Sequence, residues 1–136
     1  MIQFYALSVF LTILAGYALV SRDAPSRGTA TDGIRSFLSD RIVRLILGIM
    51  SASVGFFKLV AVMRGDIPVV GDLLPAAAGM VSGFTLLLEF YRDSSEVKGE
   101  LVARLEELLL ARSRIIGVAA IVTGFVHFLF AQVIFL

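Results

Sequence analysis

Apolar residues run along this chain in four long blocks, each closed by a short polar interruption. Ile2 to Val20 carries no charge and ends on Ser21, Arg22, Asp23 and Pro25. A helix needs ~20 mostly apolar residues to cross the hydrocarbon layer of a bilayer, so this block predicts a first transmembrane helix over 2–20. A second is predicted over 42–63, apolar except for Arg44 near its start and Lys58 in its later part, and closed by Arg64, Gly65, Asp66 and Pro68. A third is predicted over 73–91, with Pro75 in its first turn, where the missing N–H costs little. The fourth is predicted over 115–136.

The connections differ in character. Residues 21 to 40 hold Pro25, Gly28, Gly33 and mixed charges, a polar loop whose tail sets Ile34, Phe37 and Leu38 against Arg35, Asp40 and Arg41 as a short interfacial helix. The link Val69 to Asp72 is apolar enough to dip into the membrane surface or fold over the bundle. Between the third and fourth blocks, Val97, Leu101, Leu105 and Leu108 recur at spacings of three and four, with Lys98, Glu100, Arg104 and Glu107 on other faces. That spacing predicts an amphipathic helix over 96–112, with Glu100 and Arg104 placed as an i,i+4 pair. The predicted fold class is therefore all-α: one domain, 1–136, an integral membrane bundle of four transmembrane helices with an amphipathic helix between the third and fourth.

Composition agrees: 58% of the residues are hydrophobic, and four crossings with their connections leave no room for a separate soluble domain. Met1 to Tyr5 carries no positive charge and no good cleavage site precedes Ser21, so the first helix is expected to be retained rather than removed as a signal peptide. The net charge of +1 gives no basic excess for nucleic acid, and with no cysteine the chain carries no disulfide, thiolate metal site or dithiol relay. Placement of charge is more informative than its sum. Lys and Arg fall at 22, 27, 35, 41 and 44 and again at 92, 98, 104, 112 and 114, with only Arg64 in the middle link. The positive-inside rule then predicts an inner-membrane protein with loops 21–41 and 92–114 cytoplasmic and both termini outside. Tyr5, Tyr17 and Tyr91 are the candidates for polar-tipped interfacial anchors, since Trp is absent.

Small residues fall at helix-packing spacings: Gly48, Ala52 and Gly55; Gly79 and Gly83; Gly117, Ala120 and Gly124. Such faces let backbones approach closely, either to close the chain's own bundle or to form a dimer. Ionisable residues within apolar spans are the default pointers to function, because each costs about 2.5–3.5 kcal/mol at the centre of a span on insertion scales. Glu89 lies near the inner end of its helix, where an ion pair with Arg92, or with Arg44 or Arg114, is expected. Lys58 lies toward the outer end of its own helix, ~20 Å from Glu89 in depth, so those two do not pair. His127 falls within ~6 Å of the height of Lys58, with Gln132 about one turn further out and Asp66 and Asp72 above. These five residues form the candidate ligand or ion site. The plainer alternative is that Lys58 snorkels to Asp66 or a lipid phosphate and His127 makes one interhelical hydrogen bond. A single His without Cys builds no usual metal or bis-His heme site in one chain, and neither a catalytic triad nor a phosphate loop is present. No catalytic residue, metal or cofactor is predicted.

The stretch Arg41 to Leu59, RIVRLILGIMSASVGFFKL, resembles the first helix of the DoxX-like family of small four-helix membrane proteins, through Arg44, Gly48, Gly55, Lys58 and Leu59. The likeness extends in style over the last hundred or so residues. It departs where that family has a Glu ahead of a Gly, since this chain reads Gly79, Met80, Val81, Ser82, Gly83, and in having a helix before the matching one. The resemblance implies an accessory role beside quinone-linked or thiol-stress redox complexes. From the residues alone two readings stand beside it: a non-enzymatic accessory or scaffold subunit in a homo-oligomer or larger membrane complex, and a small transporter or channel with an outer polar site at Lys58 and His127.

Overall fold

The structure is a computed structural model that describes residues 2–25, 28–63, 69–97 and 99–130, with side chains described for those apart from 2, 62, 63 and 69–72. It is all-α. Helix α1 spans Ile2–Val20 and ends in a single 3-10 turn, Ser21–Asp23. Then follow α2 (Thr31–Ser39), α3 (Arg41–Met63), α4 (Val69–Ser94), α5 (Glu100–Leu105) with a π-helical turn at Glu106–Leu110, and α6 (Ser113–Leu129). The long helices α1, α3, α4 and α6 form the bundle, with α3 lying along α4 and α1 along α6.

Local chemistry sets several boundaries. Asp40 is extended, and its Oδ1 accepts from the backbone N–H of Ile42 at 2.8 Å and of Val43 at 3.3 Å. Those donors have no partner inside the helix, so the cap starts α3 at Arg41. The third span differs most from expectation. Its helix begins at Val69 rather than about 73, which puts Pro75 inside the helix instead of in its first turn, while the stretch apolar enough to cross a membrane does begin at Leu73. The amphipathic helix begins at Glu100 rather than 96, because Gly99 is extended, with φ −70° and ψ 155°.

Three helices are long and apolar enough to cross a membrane, Gln3–Asp23, Arg41–Ala61 and Leu73–Ser94. The fourth block contributes the 17-residue α6, and the remainder of 115–136, from 131 onward, lies outside the described residues. A fourth crossing by length arises if Glu100–Leu110 and Ser113–Leu129, bent by 58° where they meet, are taken as one span.

The distribution of polarity is inverted relative to a water-soluble bundle. The exterior presents Phe10, Phe57, Leu74 and Phe128, each at least 60% exposed. The interior buries Leu19, Leu86, Ala15 and Ala18, and with them Ser51, Ser82, Thr85, Lys58, Glu89 and His127. Glycines bring the helices close enough to bury these groups. A Cβ on Gly83 would lie 2.5 Å from the backbone nitrogen of Ala52, and one on Gly55 2.7 Å from that of Met80. Gly48 faces Gly83 and Leu87, Gly79 faces Thr12 and Ser51, and Gly124 faces Ile13. Gly117 packs on Gly16, each 2.6 Å from the other's carbonyl oxygen if given a Cβ. All six glycines predicted to mediate packing thus close the chain's own bundle.

Candidate functional site

A polar stripe runs along the inside of the bundle. On α3, Arg44, Ser51 and Lys58 are spaced by seven residues, which returns to within about 20° of the same face after two turns. Tyr5, Ser8 and Thr12 from α1, and Ser82, Thr85 and Glu89 from α4, join it. Mid-bundle, the Gly79 carbonyl accepts from Ser51 Oγ at 2.9 Å and lies 3.2 Å from Ser82 Oγ, whose closer acceptor is the Ala78 carbonyl at 2.7 Å. Thr12 donates to the Ser8 carbonyl and Thr85 to the Val81 carbonyl, each one turn back in its own helix. Such back-bonding satisfies the hydroxyl donors of these buried side chains within their own helices.

At one end of the stripe lie Lys58 and His127, 4% and 8% exposed. Lys58 Nζ is 3.4 Å from His127 Nε2. The Tyr5 ring lies 4.7 Å from the imidazole and 5.2 Å from Lys58 Nζ, and its hydroxyl donates to the His127 carbonyl. That carbonyl is in the last turn of α6, where oxygens lack intrahelical partners. Tyr5, expected as an interfacial anchor, is thereby part of the cluster. Of the other predicted members, Asp66 and Gln132 lie outside the described residues, as does the side chain of Asp72.

At the opposite end Glu89, 2% exposed, is held between two arginines. Arg22 Nη1 donates to its Oε1 at 2.9 Å, and Arg44 Nη1 lies 3.1 Å from its Oε2. The second contact is close but not aligned as a hydrogen bond, and both Glu89 Oε2 and Arg44 Nε are buried without a hydrogen-bond partner. Arg44 Nη2 also donates to the Ala18 carbonyl at 2.6 Å, closing an open oxygen in the last turn of α1. Arg92, the partner expected for Glu89, instead points its Nε and Nη2 at Asp93, both 3.1 Å away. Arg22 was the residue sequence reasoning missed, because it belongs to the loop after α1 and only the fold carries it back over α4. A cleft of about 90 Å³ opens beside the triad, lined by Ser39, Arg41, Arg44, Glu89, Phe90 and Asp93.

The model of an uncharacterised protein family matches residues 1–127, and the chain belongs to that family. An uncharacterised protein of Treponema pallidum (strain Nichols) is 29% identical over 136 residues, spanning the whole of both chains. No solved structure matches. The DoxX-like resemblance is overturned: the matching family is a different one, it includes the first helix that the DoxX pattern left over, and nothing among the relatives points to DoxX-like proteins. The Arg44, Gly48, Gly55 and Lys58 pattern behind it has a local explanation instead, in two glycines packed on α4 and two cations on the interior face.

Proposed function

We propose that this member of the uncharacterised family is a four-span membrane protein, with both termini outside, whose working centre is the buried Lys58, His127 and Tyr5 cluster, a site for a small anion on its way through the bundle. The observation that carries this reading is the inverted polarity: a buried Lys58 3.4 Å from a buried His127, inside helices whose outer faces are apolar. Three helices of spanning length support the membrane location. So does an apolar surface groove of about 670 Å³ between α1 and α6, lined by Phe10, Phe125 and Phe128, whose chemistry suits an acyl chain. Charged groups within a span are expensive and mark ion or substrate routes, and the hydroxyl stripe from Lys58 to Glu89 gives such a route polar walls.

The test is efflux of inorganic phosphate and of chloride from proteoliposomes. Release above that of protein-free vesicles is expected for one of the two, and Lys58→Ala and His127→Ala should each abolish most of it. Release that neither substitution changes, or none above background, overturns the transport reading.

A second reading, an accessory or scaffold subunit of a homo-oligomer or larger complex, is favoured by a different feature. Val97, Leu101 and Leu108 are exposed at the Glu89 end of the bundle, although the small-residue faces are occupied internally. A partner recovered in fixed ratio from native membranes in mild detergent, and lost with Leu101→Asp and Leu108→Asp, would support it.

A further inference from the structure

We infer that the cleft beside Glu89 seats the headgroup of a zwitterionic phospholipid with a primary ammonium, its phosphate on Arg41 and Arg44 and its ammonium on Glu89 and Asp93. The inference rests on the membrane location proposed above but not on transport.

Four features of the cleft lead to this ligand class. Its walls carry both signs: Arg41 and Arg44 from the start of α3, Glu89 and Asp93 from the end of α4. A simple anion would meet two carboxylates and a simple cation two guanidinium groups, whereas a zwitterion matches both pairs. Next, two buried atoms of the lining residues, Arg44 Nε and Glu89 Oε2, have no hydrogen-bond partner in the protein, although Oε2 is ion-paired with Arg44 Nη1 at 3.1 Å. Third, the space of about 90 Å³ equals that of roughly three waters, enough for the polar tip of a headgroup rather than a bulky solute. Last, the cleft lies where α3 begins and α4 ends, the level at which helices leave the hydrocarbon layer in the proposed arrangement. Beside it Phe37 and Ile42 are both exposed, an apolar flank along which acyl chains would continue.

The N–H requirement makes the proposal specific. A quaternary choline headgroup has the same charges but no N–H to donate to the carboxylates of the lining, Glu89 and Asp93, and a phosphatidylglycerol headgroup has the phosphate but no cation. The Arg41 guanidinium, stacked 5.0 Å from the Phe90 centroid and bonded to Ser94 Oγ, is already positioned and has further donors to offer a phosphate.

The experiment compares thermal unfolding of the purified protein in nanodiscs of phosphatidylcholine alone, and with added phosphatidylethanolamine or phosphatidylglycerol. Phosphatidylethanolamine is expected to raise the unfolding temperature, with phosphatidylglycerol giving no comparable rise. Asp93→Asn and Arg41→Gln should each lose most of that rise, measured against the same variant in phosphatidylcholine alone. The wild-type comparison needs no variant, so a poorly folding substitution leaves the proposal falsifiable. Equal unfolding temperatures in all three lipids would overturn it, and so would an equal rise from water-soluble glycerophosphoethanolamine, which would remove lipid as the occupant. Recovery of the protein in the soluble fraction after membrane washing, read before any lipid is added, would overturn the membrane premise itself.

Discussion

Glu89 and Lys58 are both ionisable groups buried in an apolar bundle, yet their surroundings ask different things of them. Glu89 has two guanidinium partners from two other segments, so its charge ties the end of α1 and the start of α3 to α4. Removing one member of a buried ion pair costs about 3–5 kcal/mol, because the remaining charge stays uncompensated. Glu89→Gln keeps the shape but leaves Arg22 and Arg44 facing each other, so it is expected to lower the unfolding temperature strongly. Arg22→Ala should cost much less, since Arg44 remains and Arg22 is already 27% exposed at its side chain. Thermal unfolding monitored by size-exclusion recovery in detergent measures both, and equal losses would show that the two arginines do not share the carboxylate as described. At this scale the sequence discloses depth but not azimuth. The rise per residue put Lys58 level with His127 because both lie in long regular helices. It could not select Arg22 over Arg92 for Glu89, because Arg22 follows a helix end and its side chain reaches across to α4.

Among the elements, α1 and α3 were legible to within a residue, since a long uncharged run and the Asp40 cap both fix their ends in the chain's local chemistry. The start of α4 and of α5 was not, because Val69 to Asp72 and residues 96–99 carry no decisive signal of their own and yield to their surroundings. The packing faces were half legible: glycine spacing named the contact surfaces, while their partners required the fold. Gly16, which packs on Gly117 and Ile121 of α6, was not legible because α1 was recognised by its lack of charge. These contacts make a graded prediction. Gly83→Ala sets a methyl 2.5 Å from the Ala52 backbone nitrogen and 2.8 Å from the Gly48 oxygen, and neither atom moves without separating α3 from α4. Overpacking of this kind costs about 1–3 kcal/mol. Gly33→Ala in α2 meets nothing within 4 Å and should be neutral or slightly stabilising, because alanine loses less freedom in a helix. If Gly83→Ala and Gly33→Ala unfold at the same temperature, close packing of α3 on α4 is not what holds that face.

For the whole molecule, the arrangement of charge and of apolar surface makes one demand that no single helix makes. In the four-span arrangement proposed above, the end holding Glu89, α2 and α5 would lie on one side of a membrane, and the end holding Tyr5, Lys58 and His127 on the other. Basic residues at 22, 35, 41, 44, 92, 104, 112 and 114 cluster at the first end, and in that arrangement the positive-inside rule would put that end in the cytoplasm. The absence of cysteine from the sequence makes the assignment measurable, since any introduced thiol is a unique label. Gln3→Cys near the Lys58 end, and Thr29→Cys and Glu100→Cys near the Glu89 end, all replace exposed residues outside both buried clusters. With a membrane-impermeant maleimide on intact expressing cells, Gln3→Cys should react at once, and the other two only after the cells are opened. Reaction of Thr29→Cys and Glu100→Cys alone would reverse the orientation and place the Lys58 cluster inside, while reaction of only one of that pair would mean that α3 and α4 do not cross as an antiparallel pair. Equal reaction of all three in intact cells would mean that no bilayer separates the two ends, and the apolar exterior would then have to be covered by protein rather than lipid.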